Sequence, residues 1–151
     1  MKISPSRLNT ILMFKLPAAY FTGVRVIYLD SERCVATVRY RWINQNPFKS
    51  MYWAVQGMAA ELATGALIMS KIKQGKLDIS MLLVGNKATF FKRSRGRIKF
   101  TCNEGSLVDQ AIANAMKTGE GETIKMNAVG MEGEGIEVSN FTFEWAIKVR
   151  G

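Results

Sequence analysis

The stretch MYWAVQGMAAELATGALIMSKIK, Met51 to Lys73, decides how the rest of the chain is read. Met51, Val55, Met58, Leu62 and Met69 keep helical spacing, and Ala54, Gly57, Ala59, Ala60, Ala63, Gly65 and Ala66 leave little bulk between them. A helix this apolar and this small-sided is normally buried against a sheet, because its backbone can approach closely and it has almost no polar face to offer water. Gln56, Glu61 and Thr64 interrupt the apolar run. A carboxylate at mid-span is costly in lipid, so the segment reads as a core helix and not as a membrane span. Asn44-Gln45-Asn46-Pro47-Phe48 is a turn signal before it, Ser50 is placed to cap it, and Gln74-Gly75-Lys76 breaks it.

Toward the N-terminus, Ser4-Pro5-Ser6 followed by Leu8, Ile11, Leu12 and Leu16 predicts a capped amphipathic helix ending near Pro17. Beyond Gly23, Val24 to Tyr28 and Cys34 to Trp42 alternate as two strands turning at Asp30-Ser31-Glu32. Toward the C-terminus, Ile79 to Lys92 and Arg97 to Cys102 read as strands joined at Ser94-Arg95-Gly96, and Ser106 to Lys117 as a short helix. Thr123 to Val129 and Ile136 to Val149 complete the strands, with a Gly-Glu-rich turn from Gly130 to Gly135 between them. No linker, repeat or low-complexity segment divides the chain, which predicts a single α+β domain over residues 1–151. Hairpin connections favour an antiparallel sheet wrapped around the one long central helix.

Composition removes several chemistries. The 151 residues contain no histidine, which excludes Ser-His-Asp and Cys-His catalysis and His-ligated zinc, and no metal site is expected. The two cysteines, Cys34 and Cys102, sit among alternating apolar neighbours and read as unpaired structural thiols of a reducing compartment. Lys2, Arg7 and Lys15 interrupt the first thirty residues, so no signal peptide is expected and the protein reads as soluble and cytoplasmic. The net charge is +9, with +13 carried by residues 1–99 and −4 by residues 100–151. Such asymmetry suits either an anionic partner or self-complementary association.

Asn46-Pro47-Phe48-Lys49-Ser50 and the helix after it resemble the entry loop and central helix of the hotdog-fold thioesterases, over about twenty residues of specific motif. In the phenylacetyl-CoA-type members an Asn-containing loop leads into a His-Gly-Gly helix start, with an acidic residue nine positions after the histidine. Counting back nine positions from Glu61 lands on Tyr52, so Tyr52-Trp53-Ala54 stands where His-Gly-Gly would be. The segment is closer to an uncharacterised hotdog branch with Asn-Pro-Phe-Gly-Ser-aromatic at the helix start and Ala-Glu-Leu-Ala-x-Gly within the helix. The resemblance implies a homodimer, or a dimer of dimers, that takes an acyl-CoA or acyl-carrier thioester at the subunit interface. It needs no cofactor, since CoA enters as part of the substrate.

Glu61 stands out without any family. It lies at the edge of the apolar stripe, and Gly57, Met58, Thr64 and Gly65 are its helical neighbours, so no base on the same helix can pair with it. An unpaired carboxylate among small residues suits a catalytic base whose pKa burial raises; the alternative is a boundary glutamate facing solvent or a sheet arginine. First-turn backbone amides near Tyr52, Trp53 and Ala54 could polarise a thioester carbonyl without any particular side chain. The resemblance further implies that Asn46 holds the loop or positions carbonyl or water, and that Gln56 and Thr64 bond substrate or the partner subunit. For Asn46 the alternative is turn chemistry before Pro47, and for Tyr52 an aromatic anchor in the core.

Lys87, Lys92, Arg93, Arg95, Arg97 and Lys99 form a basic cluster, with Phe90 and Phe91 beside it. By resemblance Lys92, Arg93 and Arg95 are candidates to hold CoA phosphates. A charged sheet edge is the alternative, while the acidic C-terminal third and the lack of a nucleic-acid motif count against nucleic acid. Of the nine methionines, Met58, Met69 and Met81 could line an acyl tunnel, although core filling is the commoner use. Trp53, bulky where the family has glycine, favours a rival reading: a non-catalytic hotdog module that binds acyl-CoA or a fatty acyl ligand.

Overall fold

The computed structural model describes residues 2–151. In chain order they form α1 (Pro5–Lys15), α2 (Pro17–Phe21), β1 (Arg25–Leu29), β2 (Cys34–Arg39), α3 (Trp53–Gln74), β3 (Ile79–Phe90), β4 (Arg97–Cys102), α4 (Gly105–Thr118), β5 (Glu122–Glu132) and β6 (Ile136–Val149). The strands make one six-stranded antiparallel sheet in the order β1-β2-β4-β5-β6-β3, and α3 lies against it.

The small residues of α3 account for how tightly it packs. Ala59, Ala60, Ala63, Ala66, Leu67 and Ile68 are fully buried against Val38, Phe100, Met126 and Phe141 of the same core. At Gly65 a Cβ would stand 3.1 Å from the Trp145 ring, and at Gly57 it would stand 3.5 Å from Phe141. Gly65 therefore seats the helix closer to β6 than any side chain would allow without displacing the indole. Burial of this face gives α3 stability that its glycines and Thr64 would deny an isolated helix.

Several local expectations need correction. Ser50 does not cap α3: Met51 is extended and bridges to Gln45, the helix begins at Trp53, and its N-cap Tyr52 makes no side-chain cap. The first helix ends at Lys15, and Pro17 starts a second short helix, where its missing N–H and fixed φ suit the first helical position. β2 stops at Arg39, and Trp42–Asn44 form a 3-10 turn whose Asn44 amide bonds the carbonyls of Thr22 and Arg39, each at 2.9 Å. β5 continues through Gly130 to Glu132, leaving only a tight turn at Gly133–Gly135.

β3 and β4 do not form a hairpin. β3 pairs along its whole length with β6, from Ile79 opposite Val149 to Phe90 opposite Ser139, while β4 sits between β2 and β5. The intervening residues cross from one side of the sheet to the other, and their backbone groups are held on the way. Phe91 N–H bonds the Val138 carbonyl at 2.9 Å, Met51 N–H the Ser94 carbonyl at 2.8 Å, and Tyr40 N–H the Gly96 carbonyl at 2.8 Å. This crossing carries Lys92, Arg93 and Arg95 to the start of α3. Cys34 and Cys102 are free, buried and directly opposite in the β2–β4 register, and burial pushes both thiols up to about 12.

Candidate active site at the start of the central helix

The loop before α3 is built around one side chain. Asn46 Oδ1 accepts from the N–H groups of Phe48 and Ser50, at 2.9 and 3.2 Å, and its amide nitrogen donates to Ser50 Oγ at 3.0 Å. This turn chemistry folds Pro47–Ser50 into a tight loop in which Lys49 adopts φ 56°. Both ends of the Asn46 amide are thus committed to shaping the loop. Tyr52 N–H is held by the Asn44 carbonyl at 2.9 Å, which fixes the direction in which α3 starts.

Within that frame the Trp53 and Ala54 N–H groups have no acceptor among the described residues, while Val55 and Gln56 N–H both reach back to the Tyr52 carbonyl. Two free donors at the positive end of a 22-residue helix can bind a partial negative charge. They adjoin a cleft of about 510 Å³ between the Asn46 loop, the first turn of α3 and the Phe90–Ser94 crossing. Tyr52, Trp53, Gln56, Lys92 and Arg93 line it, as expected from sequence, together with Phe90, Phe91 and Ser94. Tyr52 and Trp53 stand edge to face at 6.2 Å, with Trp53 55% exposed at the mouth. The Arg93 guanidinium lies 5.8 Å from the centre of the Phe48 ring, across the same mouth.

Two buried polar groups define the cleft wall. Gln56 Oε1 accepts from Ser139 Oγ at 2.8 Å, which orients the amide. Ser94 is completely buried, and its Oγ has no hydrogen-bond partner among the described residues. A buried hydroxyl without a partner is uncommon in a folded protein, and this one belongs to a residue of the cleft lining. In the sequence Ser94 reads as a turn residue, and only the crossing between β3 and β4 brings it against Met51.

Other expected site residues fall elsewhere. Thr64 is fully buried, accepts from Trp145 Nε1 at 2.9 Å and donates to the Glu61 carbonyl at 2.9 Å, so it braces the helix on the sheet and is closed to substrate or a partner. Arg95 lies outside the cleft lining, with its Nε on the Lys49 carbonyl at 3.1 Å, bracing the back of the loop. Ala54 contributes its backbone N–H and no lining side chain.

Glu61 is half-buried and forms no ion pair or side-chain hydrogen bond among the described residues. Burial holds its pKa above the ordinary carboxylate range, because the charged form loses hydration and gains no counter-charge. It lies one helical turn from both Gly57 and Gly65, on the side of α3 that faces Phe141 and Trp145 of β6 and Met81 of β3. Eight residues separate it from Trp53, which at 1.5 Å per residue is about 12 Å along the axis. Glu61 and the free amides of its own chain are too far apart to act on one carbonyl.

A long helix enclosed by a single antiparallel sheet, with a cleft at its N-terminus, defines the hotdog fold, and solved structures bear this out. A protein of unknown function from Chlorobaculum tepidum superposes with TM-score 0.82 at 15% identity, covering 99% of each chain. A Pseudomonas aeruginosa protein described as a probable thioesterase matches with TM-score 0.82 at 17% identity, again over 99% of each chain. A thioesterase from Haemophilus influenzae matches with TM-score 0.76 at 9% identity, over 99% of this chain and 93% of its own. The sequence matches the model of the domain of unknown function DUF4442 over residues 6–147, and the chain belongs to that family. No protein of curated function matches the sequence.

Proposed function

We propose that the protein is a homodimeric thioesterase that hydrolyses an acyl thioester of CoA or of an acyl carrier in the cytoplasm. The observation that carries this reading is Glu61: a half-buried carboxylate with no counter-charge and a raised pKa, on the side of α3 that faces β6 and the edge strand β3. Its separation from the amides of its own chain calls for a partner subunit, whose α3 N-terminus would face Glu61 across the interface. The names of the Pseudomonas and Haemophilus neighbours point the same way.

In this mechanism Glu61 takes a proton from water as the water oxygen bonds to the thioester carbon. The Trp53 and Ala54 N–H groups of the other subunit stabilise the oxyanion. The carbon–sulfur bond then breaks, the acyl group leaves as a carboxylic acid, and the thiolate departs and takes up a proton. Lys92 and Arg93 at the cleft mouth would hold the CoA phosphates. Asn46 and Arg95 act as positioning residues for the loop, and Gln56 and Ser94 offer polar contacts in the wall. The reaction as proposed calls for no metal or cofactor, since CoA enters as part of the substrate. Among the described residues no helix is long and apolar enough to cross a membrane.

Trp53 supports a second reading, a non-catalytic module that binds acyl-CoA, because its indole stands at the cleft mouth where an acyl group would enter. A panel of acyl-CoA substrates separates the two. Turnover that falls 10²–10⁴-fold in Glu61→Ala, about the contribution of a general base, supports hydrolysis. Calorimetric binding with no turnover across the panel supports the module.

A further inference from the structure

The second large apolar cavity lies away from the cleft, between α1 and the C-terminal half of α3, and the two share no lining residue. Its volume is about 510 Å³, within the 300–1,000 Å³ range of small-molecule sites. Leu12 closes its floor, Leu62 and Met69 form one wall, and Phe14 and Leu16 stand 72% and 50% exposed on the other. Water would have to wet this surface, at a cost proportional to its apolar area.

The polar groups around the cavity specify the kind of occupant. Thr10 is the one neutral polar residue in the lining, and its hydroxyl is already used, donating to the Ser6 carbonyl at 3.1 Å. The others are Lys15 and Lys73, and neither forms an ion pair among the described residues. No acidic residue lines the cavity. A second copy of the chain is a poor fit, since a two-fold contact brings a patch onto itself and would set lysines against lysines with no acid between them.

We propose that this cavity is a second ligand site, for a single-chain amphiphile with an anionic head, of which a free fatty acid is the simplest. The alkyl chain lies between Phe14, Leu16, Leu62 and Met69, and the carboxylate meets Lys15 or Lys73. The site stands on its own lining and does not depend on the thioesterase reading.

Calorimetry below the micellar range tests it with two probes of equal chain length, laurate and dodecyltrimethylammonium. Laurate is expected to bind the wild-type protein and the cation to bind at least about tenfold more weakly, because only laurate gains a charge-assisted contact. Lys15→Ala/Lys73→Ala removes this preference. Met69→Trp, which fills the cavity, abolishes laurate binding, while Arg93→Ala in the distant cleft leaves it unchanged. Equal affinity for the two probes, or laurate binding that survives both the lysine double variant and Met69→Trp, overturns the proposal. So does laurate binding lost in Arg93→Ala. Absence of laurate binding to the wild type also overturns it, as does a fall in oligomeric state on Phe14→Glu, which would assign the surface to a second copy.

Discussion

The two edges of the sheet are treated in opposite ways. At the β1 edge the strand is five residues long, its register is broken between Val26 and Tyr28, and α1 closes it off. Asn9 of α1 plays the part of a missing strand: its Oδ1 accepts from Val26 N–H at 2.8 Å and its Nδ2 donates to the Val26 carbonyl at 2.9 Å. The β3 edge is twelve residues long, and Leu82 and Val84 stand 66% and 52% exposed along it. A long apolar edge is a template for another strand, and monomeric proteins blunt such edges with charge, proline or cover. One edge is finished within the chain, and the other is left unpaired among the described residues. The candidate site follows the open one, since Phe90 at the end of β3 lines the cleft and Met81 of β3 lies beside the Glu61 side of α3.

Charging the open edge should have the largest effect. Leu82→Lys/Val84→Lys is expected to give a folded monomer by sedimentation and to lower thioester turnover 10²-fold or more, about the loss of a general base from the site. Ile27→Lys at the β1 edge, exposed but already closed off, should leave both mass and turnover unchanged. If the charged β3 variant stays dimeric, the subunit contact lies elsewhere.

Unmaking the closed edge should have a smaller effect. Asn9→Ala leaves the Val26 N–H and carbonyl without partners and should cost about 1–2 kcal/mol in urea denaturation. A second open edge should also raise the tendency to aggregate. Stability indistinguishable from wild type would mean that water replaces Asn9 at no cost.

The smallest effect concerns Glu61 and stability. Its folded-state pKa is raised, so between the ordinary carboxylate value and the raised one the native state binds more protons than the unfolded chain. Stability contributed by the protonated form is therefore lost as pH rises through that window. Glu61→Gln should melt higher than wild type at pH 8, with the gap closing at pH 4. Lower melting at pH 8 would show that the carboxylate has a counter-charge in the assembled protein. The same shift predicts that wild-type kcat/KM climbs with pH along an acid limb lying above the ordinary carboxylate range.

Much of the architecture was legible because it is local. The small-residue run from Ala54 to Ala66 predicted a buried helix, alternation predicted the strands, and Ser4 with Pro5 marked the start of α1, where Arg7 N–H bonds Ser4 Oγ at 3.2 Å. Strand order was not legible, because alternation tells which side chains share a face but not which strand lies alongside. That is why β3 and β4, adjacent in sequence, read as a hairpin although a crossing separates them. Ser94 and the Gln56–Ser139 bond were invisible for the same reason, since each depends on contacts between distant segments. Thr64 shows the converse. A polar residue inside an apolar helix reads as functional from sequence, but Trp145, 81 positions away, supplies the donor that satisfies it.

A composite site makes one demand that no single-chain site makes: two inactive variants must rescue each other. Glu61→Gln removes the base, and Trp53→Pro removes one of the two free amides at a first-turn position where proline is tolerated, with Trp53→Ala as a control that keeps the N–H. Unfolding and refolding the two variants together at equal concentration gives half mixed dimers, each with one intact site. Turnover of acyl-CoA should then return to about a quarter of wild type. Turnover no greater than the mean of the two variants alone would contradict a site built from Glu61 of one subunit and the helix amides of the other.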